Sequence, residues 1–169
     1  ELIGGRKYTA RTLQQPGTIR IHGSGDMLAI VVVPQRSSWK ISADQLQLTG
    51  LQIRFEHDPI EAVQPLLDAH CQVLELDRMI VGSDIRNQST GLRWTPLTDG
   101  SSIVRLMNTV FLSGRYAIHT AGVPGNFAVR NVLFRAAETA WRCDSSGHQR
   151  AQLNMTKVTQ LGGNSFADI

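Results

Sequence analysis

"VRLMNTVFLSGRYAIHT", residues 104–120, returns almost position for position as "FAVRNVLFRAAETAWRC", residues 127–143. At a constant shift of 23 residues, Val104, Leu106, Asn108, Val110, Phe111, Gly114, Ala117 and Ile118 fall on Phe127, Val129, Asn131, Leu133, Phe134, Ala137, Ala140 and Trp141. Size and polarity agree throughout. The same apolar–polar alternation runs backward through "LELDR" (74–78), "LQLTG" (46–50) and "IRIHG" (19–23), and forward, less cleanly, to "AQLNM" (151–155). The second apolar position of each unit is then Ile21, Leu48, Leu76, Leu106, Val129 and Leu153, at spacings of 27, 28, 30, 23 and 24 residues.

A period in the twenties with strand-like alternation marks a solenoid, because one coil cannot bury its apolar face alone and must stack on another. Leucine-rich repeats share the length but carry a leucine and asparagine pattern followed by a helix or extended segment. Each unit here carries a second short apolar cluster ("MIVGSD", "TVFLSG", "VLFRAA") and then a third ("YAIHT", "TAWRC"). Three short strands per coil predict an all-β fold, a right-handed parallel β-helix of about six coils of 23–30 residues. Equivalent residues then stack at about 4.8 Å. Phe111 is expected against Phe134, and Asn108 against Asn131, the asparagines sitting at a bend where an amide bonds its counterpart and tolerates unusual backbone angles. Gly23 and Gly50 hold that bend column earlier in the chain, as a tight turn would require.

Composition agrees with one domain over residues 1–169: the chain is 41% hydrophobic, with a net charge of +3 spread without runs of like sign. No nucleic-acid partner is expected from such a surface. The longest apolar stretch, 27–34, is far short of the roughly 18 residues of a membrane-spanning helix, so no membrane partner is expected either. The chain begins at Glu1 with no initiator methionine or signal-peptide pattern, which suggests a processed product or a segment of a longer protein.

The phrases "ISADQLQLTGLQIRF" and "VLELDRMIVGS", with the two stretches quoted first, resemble the right-handed β-helix repeats of the pectate-lyase-like superfamily. Similar repeats occur as modules of large bacterial multidomain proteins. The resemblance covers residues 17–169 and implies the fold; it leans the chain toward an extracellular or cell-surface setting. It implies little about activity, since such repeats encode packing. The Asn-Thr-Asp, paired-aspartate, Gly-His-Gly and Arg-Ile-Lys signatures of polygalacturonase-like hydrolases are missing in order, as are those of pectin methylesterases and pectate lyases.

Local chemistry therefore carries any catalytic reading. The columns flanking the reference position run Arg20, Gln47, Glu75, Arg105, Ala128, Gln152 and His22, Thr49, Asp77, Met107, Arg130, Asn154. Glu75 and Asp77 lie two residues apart on one strand, so both carboxylates point the same way at about 7 Å. That spacing suits a cation such as calcium, or acid and base work on a glycosidic bond with Arg105 beside them. Against it, Glu75 is placed to pair with Arg105 one coil along. Two longer connections, 56–70 and 86–100, are expected to leave the solenoid on consecutive coils and pack as a small wall. Trp94, in the second, is a candidate platform for a sugar ring, or else covers its own coil. Arg130 is the other candidate ligand contact. The five histidines show no metal-ligand spacing, so no metal or other cofactor is expected outside the calcium of the enzyme reading. Asn87 and Asn154 begin acceptor sequons that matter only in a eukaryotic secretory route.

Cys71 and Cys143 fall at different offsets from their reference residues, which predicts free thiols on different walls. Function narrows to three readings. The chain is a noncatalytic module, serving as spacer or as a carbohydrate- or protein-binding surface in a larger bacterial protein; or a polysaccharide lyase or hydrolase using Glu75, Asp77 and Arg105. The third is an assembly module stacking end to end, because open end coils expose apolar side chains and unpaired strand amides to another copy or to other domains of the same polypeptide.

Overall fold

The computed structural model describes residues 1–57, 64–82, 89–98, 101–144 and 152–168, without the side chains of 113, 136 and 137. Among them there is no helix, and every strand pairing is parallel. Strands β1 (Leu2–Ile3), β2 (Lys7–Thr9) and β3 (Leu13–Gln14) make a partial opening coil. Three coils follow: β4 (Thr18–Ser24), β5 (Ala29–Val33) and β6 (Trp39–Ser42); β7 (Gln45–Thr49), β8 (Leu51–Phe55) and β9 (Leu67–His70); β10 (Val73–Asp77), β11 (Ile80–Gly82) and β12 (Thr90–Thr95). The two quoted stretches are the next coils, each a single strand that bends through all three walls: β13 (Ile103–Thr120) and β14 (Asn126–Cys143). β15 (Gln152–Leu161) and β16 (Ser165–Asp168) complete the stack. The protein is a parallel β-solenoid of three walls and about five full turns.

The register confirms the shift of 23 between the two stretches, with Val104 opposite Phe127, Leu106 opposite Val129 and Phe111 opposite Phe134. The phenyl rings of Phe111 and Phe134 stack with centroids 5.5 Å apart and planes 21° from parallel. The reference column runs Ile21, Leu48, Leu76, Leu106, Val129 as read from sequence, but its last member is Met155, because Leu153 pairs with Phe127. The outward columns shift with it, so Asn154 stands under Ala128 and Thr156 under Arg130. Leu48, Leu76, Leu106 and Val129 are buried, Ile21 is half-buried in the first full rung, and Leu153 is 44% exposed on the final rung.

Bends between the first and second walls form a column of their own. Gly50, Arg78, Asn108, Asn131 and Lys157 all adopt left-handed backbone, at φ 68°, 52°, 48°, 54° and 54°. The next residue of each turns inward, where Leu51, Met79, Thr109 and Val132 are buried and Val158 half-buried. Gly23 stands in the same column with ordinary strand backbone. Its requirement for glycine is one of space, since a Cβ would come within 2.3 Å of the Gly50 carbonyl oxygen.

The third wall corrects the reading of the connections. Part of each expected loop is core strand: β9 carries Leu67 and Ala69 inward and β12 carries Leu92 and Trp94 inward, all 0% exposed. What remains of the loops, with Asn87, lies mostly outside the described residues. All three tryptophans are buried on this wall, each with its indole N–H satisfied: Trp39 on the Arg11 carbonyl (3.1 Å), Trp94 on the Cys71 carbonyl (2.9 Å) and Trp141 on the Thr120 hydroxyl (3.1 Å). A buried aromatic with a polar handle needs such a partner. Both cysteines are free and buried. They share this third wall, since Cys143 pairs with Thr120, which lies in the column of Trp94 and Ala69, and Cys71 follows β9 by one residue. The expectation of different walls fails, yet three rungs, roughly 14 Å at the stacking distance, keep the thiols apart. Burial pushes the Cys71 thiol up to about 12.

Candidate functional site

On the wall built by β4, β7, β10 and the first segments of β13 and β14, outward side chains two residues apart stack on their counterparts one rung away. The sequence places Arg20, Gln47, Glu75 and Arg105 in one column, and the structure joins them into a chain of hydrogen bonds. Arg20 Nε donates to Gln47 Oε1 (2.7 Å), Gln47 Nε2 donates to Glu75 Oε2 (2.7 Å), and Arg105 Nη1 pairs with Glu75 Oε1. Both oxygens of Glu75 are thus occupied, from opposite sides, by groups of neighbouring coils. Its side chain retains 24% of its exposure.

Asp77 is engaged by the bend column. Asn108 Nδ2 donates to Asp77 Oδ1 (2.8 Å), and Asn131 Nδ2 donates to Asn108 Oδ1 (2.8 Å). The expected contact of the two asparagines therefore exists and extends one rung further, ending on a carboxylate. The side-chain amide supplies both a donor and an acceptor along the axis. Asparagine also accepts the left-handed backbone more readily than most residues. Glu75, Asp77 and Arg105 are brought together as neighbours, but each carboxylate is tied into a separate ladder.

The other predicted contacts divide. Trp94 has no exposed surface and offers no face to a sugar; it is a core residue, because β12 turns it inward opposite Ala69. Arg130 is exposed on the same wall as the ladders and has no hydrogen-bond or ion-pair partner among the described residues. No group of three histidine, cysteine or acidic side chains is placed to hold a metal among the described residues.

A second cluster, on the third wall, escaped the sequence reading. Lys40, Asp68, Arg93, His119, Arg142 and Asp168 form one outward column across β6, β9, β12, β13, β14 and β16. Near its end His119 Nε2 donates to Asp144 Oδ2 (2.6 Å), Arg142 Nε to Asp144 Oδ1 (3.0 Å) and Arg142 Nη1 to the Tyr116 hydroxyl (2.7 Å). The Arg115 guanidinium lies 5.3 Å from the Tyr116 ring centre. The hydrogen bond from His119, with that from Arg142, holds the Asp144 carboxyl below its ordinary range. Four side chains from two coils form one connected network in which the carboxylate is neutralised by two donors. The signal was present: at the shift of 23, "YAIHT" lies on "TAWRC", which puts His119 over Arg142, and Asp144 follows on the same face.

No protein-family model matches this chain, nor does any curated protein or any solved structure.

Proposed function

We propose that this solenoid is a noncatalytic β-helix module, serving as a spacer and as a binding surface for carbohydrate or protein within a larger bacterial protein of the pectate-lyase-like kind. The observation that carries the reading is the engagement of Glu75. A general acid or nucleophile must present a free oxygen to the reacting bond, and Glu75 accepts from Gln47 on one side and Arg105 on the other. Asp77 is held by Asn108 in the same way. What the wall does present is a flat, rigid array of amide, guanidinium and hydroxyl groups in register, which suits recognition rather than turnover.

The test pairs two measurements on the purified chain: a glycan array, and lyase and hydrolase assays on acidic polysaccharides with and without calcium. Binding to a restricted set of glycans without turnover is the expected result. Turnover that disappears in Glu75→Gln while the thermal transition is retained would overturn it in favour of a polysaccharide-active enzyme.

A further inference from the structure

The ladder on the first wall is closed from Arg20 to Arg105 and interrupted at Ala128. Arg20, Gln47 and Glu75 each find a partner on the next coil, and the rung after Arg105 is Ala128, whose side chain has nothing to offer a guanidinium. Arg105 spends Nη1 on Glu75 and is 44% exposed, and its register partner on the following coil is that alanine. Two residues along the same rung stands Arg130, opposite Met107 and exposed. A one-rung step of about 4.8 Å and a two-residue step of about 7 Å separate the two arginine Cα atoms by about 8 Å, a gap their side chains easily span. Asn154 and Thr156, exposed on the following rung, stand opposite Ala128 and Arg130. Of the two carboxylates on the rung before Arg105, Asp77 is held by Asn108, and Glu75 accepts from Nη1 of Arg105 itself.

We propose that Arg105 and Arg130 form an oxyanion-binding site over Ala128, where a carboxylate or sulfate group supplies the acceptor that the missing rung of the ladder lacks. The guanidinium fork binds planar and tetrahedral oxyanions through paired N–H bonds. Two forks beside a small residue receive one such group without displacing protein atoms. Glu75 shows what the acceptor does one rung earlier. The ligand takes the position that a glutamate at 128 would fill. This goes beyond the module reading: it assigns a ligand chemistry to one spot, and anion binding there stands even if a glycan array is blank.

The experiment is an NMR titration of arginine Nε–H resonances in the full chain, with sodium sulfate, acetate and glucuronate added at constant ionic strength. Saturable shifts of Arg105 and Arg130, with Arg20 unmoved, are expected. Arg130→Gln weakens sulfate binding roughly tenfold, the scale of one charge-assisted contact. Ala128→Glu removes it by closing the ladder, while raising or preserving the thermal midpoint, because position 128 faces outward. Glucuronate binding more tightly than acetate identifies the natural source as a sugar acid, and equal affinities identify the anionic group alone. Either variant titrating like the parent, or Arg20 shifting as far as Arg105, overturns the site.

Discussion

The coils of β13 and β14 and the coils that precede them build the same three walls by different means. Between β13 and β14 the rung spacing is 23 residues with no slack, the strands run unbroken through the corners, and the first bend is an asparagine on both rungs. In the two earlier coils the spacings are 28 and 30, the second and third strands are separate elements, and the same bend is Gly50 and then Arg78. All four bend residues nevertheless share left-handed backbone. A solenoid column thus fixes a conformation and a direction, and each rung satisfies them with whatever residue reaches them. Asparagine does so while bonding to its neighbours, glycine by lacking a Cβ, and arginine at a conformational cost.

The largest test of this picture is made in the interior. Leu106 lies between Leu76 and Val129 with no exposure, so Leu106→Ala should cost about 2 to 5 kcal/mol by lost transfer energy plus the cavity left in a stacked column. Leu153, also on an inward position but 44% exposed on the final rung, should cost less than about 1 kcal/mol when cut to alanine. Chemical denaturation of both variants checks the pair. Equal losses would mean that the last rung is as tightly packed as the middle of the stack, and would break the distinction.

The bend column gives the next effect. Asn108→Ala places a Cβ-bearing residue without an amide at φ 48° and removes bonds to Asp77 and Asn131. A cost of about 2 to 4 kcal/mol follows from roughly 1 to 2 for the backbone and about 0.5 to 1 for each of the two exposed hydrogen bonds. Asn108→Gly loses the bonds but keeps the conformation, and should cost about 1 kcal/mol. The gap between the two variants, read from denaturation midpoints, isolates the backbone contribution. Identical losses would assign the whole role of Asn108 to hydrogen bonding.

The same comparison explains what could be read from the chain. Where coils are gapless, the period is visible and the register follows residue by residue: Phe111 on Phe134, His119 on Arg142. The slip at the last rung came from the two-residue period of a strand, since Leu153 and Met155 lie on the same face and either satisfies the inward position. Trp94 was misplaced for a related reason. Insertions between second and third strands displaced β9 and β12 from the offset seen in β13, so their apolar residues read as loop. The ladder of Arg20, Gln47, Glu75 and Arg105 was legible as a column. That its members bond into a chain ending at Arg105 required side-chain positions, because an arginine reaches several rungs.

The smallest predicted effect bears on Arg78, the one bend among these four that is neither glycine nor asparagine. Its backbone sits at φ 52°, and its guanidinium extends over the previous bend, with Nη2 3.7 Å from where a Cβ on Gly50 would lie. Arg78→Gly relieves the left-handed strain, worth roughly 1 to 2 kcal/mol. It also returns freedom to the unfolded chain, worth roughly 0.5 to 1 kcal/mol in the opposite direction. The balance lies between no change and a gain of about 1.5 kcal/mol, visible as a small rise in the denaturation midpoint with the slope unchanged. A loss of about 1 kcal/mol or more would show that the guanidinium stabilises the Gly50 bend by covering it. In that case the earlier coils, like the asparagine coils, would join adjacent bends through a side chain.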